Sequence, residues 1–188
     1  MNKENNGAQG GAQPMFRKLR ADEIECRIGM IKENGLTLLL YKDARCDMNI
    51  LDETIGAMNW RREHTRDNKN CIVSIWDKDK GEWVSKEDTG TESNTEAEKG
   101  LASDSFKRAC VNWGIGRELY SAPFIWVKST DCDIKNYGGK FRCTEKFIVE
   151  KITYDENGNI DGLAIQNGAK RRVFTKAPKT DRKEPIVC

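Results

Sequence analysis

The sequence predicts an α+β fold built on antiparallel sheet, and three observations lead there. Asn70-Cys-Ile-Val-Ser-Ile-Trp76 and Glu82-Trp-Val-Ser-Lys-Glu-Asp88 flank a charged loop ending in Gly81, the layout of a β-hairpin. Lys146 to Tyr154 and Ile160 to Gln166 flank Asp155-Glu-Asn-Gly-Asn159, and Asn-Gly favours a tight reversal, so a second, C-terminal hairpin follows. Between the two hairpins, Ala102, Phe106, Ala109, Cys110 and Trp113 fall within an arc of roughly 100° on a helical wheel.

The remaining elements are placed by the same signals. Ile24, Ile28 and Ile31 stand at i, i+4 and i+7, which predicts an amphipathic helix over Ala21 to Lys32 that Gly35 ends. Leu36-Thr-Leu-Leu-Leu-Tyr41 is a short apolar run and predicts a buried strand. Asp43 is placed to cap a helix running to about Ala57, with Met48, Leu51, Ile55 and Met58 on one face. Asn59-Trp60 leads into an extended stretch.

Thr95-Glu-Ala-Glu98 fits a capping box, in which the Thr hydroxyl and Glu carboxylate satisfy first-turn amides. The helix it opens should reach Trp113, where Gly114 stops it. Trp113, in phase with Phe106 and Ala109, is expected in the core. Lys107 and Arg108 lie about 100° and 200° round the wheel from Phe106, off the apolar arc. Pro123 to Lys128 reads as a strand. Residues 1–14 read as a disordered leader, 15–169 as the folded domain (core 36–128, C-terminal hairpin 146–169), and 170–188 as a basic tail.

Composition narrows the function. Of 188 residues, 37% are hydrophobic and 33% charged, yet the net charge is only +2. A nucleic-acid partner therefore requires cations gathered on one surface, because bulk charge does not supply it. Seven scattered cysteines with no C-x-x-C pair predict reduced thiols in a cytoplasmic protein. The longest apolar run is six residues, too short for a membrane-spanning helix.

Several chemistries lack their residues. No G-x-x-x-x-G-K-[ST] loop is present to cradle a triphosphate, so an ATP-driven recombinase has no candidate site. Gly114-Ile-Gly116 follows a predicted helix and reads as helix termination, not a dinucleotide fingerprint. His64 is expected as a surface or strand histidine. Cys132 and Cys143 have no second pair to complete a zinc site, and Glu87-Asp88 has no further carboxylates spaced for a nuclease metal. No catalytic residue, metal or cofactor is expected.

The Lys107-Arg108 pair on a rigid helix matches adjacent backbone phosphates of one strand. Its setting carries a family resemblance. Asp104-Ser-Phe-Lys-Arg-Ala109, preceded by Glu87-Asp-Thr-Gly90 and followed by Trp113-Gly-Ile-Gly116, resembles the signature of the Rad-fifty-two/Rad-twenty-two single-strand annealing proteins. Upstream, Arg45, Leu51-Asp-Glu-Thr-Ile-Gly56 and Asn59-Trp60 are similar to that family's Arg, its helix end and its lead into the first long hairpin strand. The match runs over roughly Leu36 to Tyr120 and is most similar to compact phage and prophage members.

The resemblance implies a β-β-β-α core, a homo-oligomeric ring, and ATP-independent binding and annealing of single-stranded DNA in recombination and repair. It implies DNA contacts by Arg45, Lys107 and Arg108, converging on one groove, with Lys99 earlier on the same helix, at a place where family members also tend to be basic. Lys42 and Arg117 join them by charge and proximity to the motifs. A phage exonuclease or a host single-strand-binding protein is the implied partner. Glu96 and Glu98 stand where longer relatives are more basic, so an outer DNA site is not implied. Two rivals follow from the residues: a passive single-strand-binding β-barrel, and a small nuclease.

Overall fold

A computed structural model of the chain describes residues 14–91 and 97–178, with the backbone alone for 97–99. The expected leader, the capping box at Thr95 and the end of the basic tail therefore lie outside the described residues. The fold divides into two compact units. One holds Asp47–Ile115 and the stretch ending at Arg17; the other holds Lys18–Cys46 and everything from Gly116 on.

The first unit is a β-β-β-α arrangement. Strands β3 (Trp60–Thr65), β4 (Asn70–Asp77) and β5 (Glu82–Thr89) form an antiparallel sheet in sequence order, and α2 (Ala97–Trp113) packs on it. Cys71, Val73 and Ile75 alternate along β4 toward the helix, where Phe106, Ala109 and Cys110 are fully buried. Helix α1 (Ala44–Ile55) gives this unit Ile50 and Leu51, also fully buried. Asp43 caps it as expected, accepting the Arg45 N–H at 2.8 Å.

Gly90 closes the strand-to-helix passage. A Cβ there would lie 2.6 Å from the Ser105 amide nitrogen and 2.9 Å from the Leu101 carbonyl, so only glycine lets the helix backbone come this near.

The second unit is a six-stranded antiparallel sheet in the order β11-β10-β9-β1-β2-β6. Its strands are β1 (Glu25–Lys32), β2 (Gly35–Tyr41), β6 (Ile125–Lys128), β9 (Phe147–Tyr154), β10 (Ile160–Asn167) and β11 (Arg172–Lys176). The sheet curls, so that its edge strands β6 and β11 approach each other. Leu36, Leu38, Ile125, Val127, Phe147 and Val149 fill the enclosed side. A short ladder of β7 (Lys135–Tyr137) and β8 (Lys140–Arg142) fills the Gly-rich stretch between Cys132 and Cys143.

Three expectations need correction. Ala21–Lys32 is not a helix: Glu25–Lys32 is β1, and it carries a bulge. Ile28 pairs with Leu38 and Ile31 with Leu36, so three steps on β1 oppose two on β2. The helix-like spacing of the isoleucines is the spacing of a bulged strand. The basic segment begins in the sheet, because Arg172–Lys176 pairs with β10 through Leu163, Ala164, Ile165 and Gln166. Finally, Trp113 is half-buried, as are the other four tryptophans. Cys26, Cys46, Cys71, Cys110, Cys132 and Cys143 are not joined in disulfides, and burial pushes the Cys26 thiol pKa up to about 12 and that of Cys71 up to about 11.

Candidate nucleic-acid interface

Strand alternation decides which cations reach α2. In the register Arg62–Val73–Lys86, Arg62 on β3 and Lys86 on β5 flank the buried Val73 on the helix-covered face. Trp60, two residues before Arg62, shares that face and stacks on Phe106 at 6.1 Å between ring centres. The Arg62 guanidinium lies 4.7 Å over the same Phe106 ring.

On the other flank of the helix, Lys86 Nζ donates to the Asn112 carbonyl at 2.9 Å and sits 4.5 Å over the Trp113 ring. Trp113 Nε1 donates to the Val73 carbonyl at 3.1 Å, which fixes the ring in place. Arg108 reaches Asp88 on β5 at 3.4 Å through Nε and Nη2. Helix α2 is thus bordered by an exposed arginine on the β3 side and by Lys86 and Arg108 on the β5 side. Arg61 points to the opposite face of the sheet, 4.4 Å over Trp83.

The expected site residues fare differently in this setting. Arg108 keeps 43% of its side chain exposed, with Asp88 as its ion-pair partner. Lys107 is only 5% exposed. The one-sided wheel is the reason for this difference. Ser105, Phe106, Lys107, Ala109 and Cys110 are all buried, and together they span more than half of the wheel. The helix is packed over much more than its apolar arc, and Lys107 falls inside. For Lys99, only the helical backbone is described.

The other three expected cations belong to the second unit. Arg45 has 84% of its side chain exposed and stands 3.9 Å from Asp43 at the start of α1. Lys42 is 4% exposed, and its aliphatic stem crosses Gly116, where an added Cβ would collide with Lys42 Cε. Gly116 has φ +70°, so glycine is required there on conformational grounds as well. Arg117, the next residue, is exposed. Lys42 is therefore packed against the turn at Gly116 that precedes Arg117.

His64 lies on β3, 3.5 Å from the Ser105 hydroxyl. Burial, and then the charge of Arg62, hold its pKa below the ordinary histidine value. Among the described residues no three His, Cys, Asp or Glu side chains group to hold a metal, and no helix is long and apolar enough to cross a membrane.

Sequence reasoning passed over Arg62 and Lys86. The signal was available: in Trp60-Arg61-Arg62, alternation sends Trp60 and Arg62 to one face and Arg61 to the other. What periodicity does not give is which face the helix covers.

Residues 13–136 match the Rad52/22 family of double-strand break repair proteins. No curated protein and no solved structure gives a significant match to the chain.

Proposed function

Because the chain belongs to the Rad52/22 family of double-strand break repair proteins, we propose that it binds single-stranded DNA and anneals complementary strands without ATP. The observation that carries this reading is the cationic border of α2, with Arg62 on one flank and Lys86 and Arg108 on the other. Phosphates drawn to these side chains shed condensed counterions, which gives affinity without sequence preference. Arg108 is held at the surface by a partly exposed carboxylate, so among the described residues a phosphate has Asp88 to displace. Arg45 and Arg117 supply further exposed cations from the second unit.

Binding of this kind involves no covalent step. A strand held extended by its sugar–phosphate chain is cleared of hairpins, and its bases stay open to a complement. Part of the ordering entropy of duplex formation is thereby prepaid. Assembly into a ring of identical chains repeats the cationic border along a longer strand, with a phage exonuclease or a host single-strand-binding protein delivering the DNA.

The direct test mixes two complementary oligonucleotides with the full chain, no nucleotide and excess chelator, and follows duplex formation. Annealing faster than in the protein-free control supports the reading. A rate equal to that control, by protein that is folded and binds neither strand, overturns it.

A further inference from the structure

The second unit has an open sheet face that the α2 border does not use. Alternation sends Leu36, Leu38, Ile125 and Val127 to the enclosed side and Leu39, Tyr41, Trp126 and Lys128 to the other. Phe124, just before β6, is 76% exposed and stacks on Trp126 with ring planes 13° apart and centres 6.5 Å apart. Leu39, on the neighbouring strand, is 61% exposed. Arg27 pairs with Leu39 across β1–β2, and its guanidinium lies 3.6 Å over the Tyr41 ring. An exposed π-surface thus lies between two cations, Arg27 and Lys128.

We propose that this face is a base-stacking strip for single-stranded nucleic acid, with Phe124 and Trp126 as the platform and Arg27 and Lys128 beside the backbone. Every base offers a π-face, so such a platform tolerates any sequence, while flanking cations follow the phosphates. Tyr41 is already covered by Arg27, which leaves Phe124 as the ring open to a base. The composition favours a polyanion over a protein: lysine is depleted in the cores of protein–protein contacts, and here Lys128 is exposed at the end of the strip. The strip rests on the reading of the chain as a single-strand-binding protein, and its test separates the two.

The test measures affinity of the full chain for two labelled probes of equal length, oligo-dT and an abasic deoxyribose-phosphate strand. Wild type is expected to prefer oligo-dT, and Phe124→Ala to bind it about tenfold more weakly while holding the abasic strand within about twofold of wild type. Leu39→Asn, a second exposed position, is expected to give a smaller loss of the same kind. Arg108→Ala weakens both probes together, which marks phosphate contact.

Binding of both probes by wild type with no base preference overturns the strip and leaves the proposed function standing. Failure to bind either probe overturns both. A changed sedimentation coefficient for Phe124→Ala without DNA shows that the face joins copies of the chain, and overturns the strip as well.

Discussion

Arg108 on α2 and Asp88 on β5 lie 3.4 Å apart, and both side chains are partly exposed, at 43% and 29%. An ion pair this close to water is weak, of the order of 0.2–1 kcal/mol. It orients the guanidinium without engaging it tightly, and it competes with any incoming phosphate. Asp88→Asn is therefore expected to tighten single-strand binding at low salt by up to about fivefold, the factor that matches the upper end of that range. Arg108→Ala is expected to weaken it and to reduce the slope of log affinity against log salt by about 0.7. Salt titrations of both variants check the pair; unchanged slopes would remove Arg108 from the DNA contact.

Lys107 separates from its neighbour. A side chain 5% exposed contributes to packing and to the polar contacts of the interior, so Lys107→Ala is expected to cost about 2 kcal/mol of stability. Arg108→Ala should stay within about 0.5 kcal/mol of wild type, as surface substitutions do. Urea denaturation of the two single variants shows the split. A double variant confuses the two effects, because lost binding then follows from lost structure. Equal midpoints for the two would place Lys107 at the surface after all.

Gly90→Ala tests the passage from β5 into α2. The added methyl carbon meets backbone atoms of Leu101 and Ser105, which cannot swing aside as a side chain end would. The Gly90 N–H also donates to the Lys69 carbonyl at 2.8 Å, so the strand end is tied on its other side too. A loss of about 1–3 kcal/mol is expected, in the range for overpacking, read as a lower thermal midpoint. An unchanged midpoint would mean that the helix can lift from the sheet at no cost.

Legibility followed the kind of signal each element gave. The hairpin of β4 and β5 could be read because alternation, a charged loop and Gly81 agree. The C-terminal hairpin could be read because Asp155 and Asn-Gly specify the reversal, and Asp155 Oδ1 does accept the N–H groups of Asn157 and Asn159. β1 was misread because its bulge copies a helical spacing onto one strand face. The family motif located the Lys107-Arg108 pair, but a helical wheel assumes one packed side, and α2 is buried on several. Arg62 and Lys86 became visible only with the strand register, since neither is adjacent in sequence to the helix they border.

The single histidine of the chain reports on that border. Burial first, and Arg62 second, lower the His64 pKa, so the fold favours neutral imidazole. The unfolded chain then takes up the proton first as pH falls. The stabilising contribution is complete above the unfolded value, about 6.5, and is lost as pH drops through and below it. Melting temperature should accordingly decline on acidification from pH 7 to pH 5, and less steeply in His64→Gln. Bound DNA adds a sharper check. A phosphate on Arg62 would offset the charge that helps hold the imidazole neutral, and so raise its pKa toward the ordinary value. Nuclear magnetic resonance of this one imidazole, titrated with and without an oligonucleotide, should show that upward shift, and Arg62→Gln should reproduce it without DNA. If the oligonucleotide binds and the titration does not move, the strand passes elsewhere than Arg62.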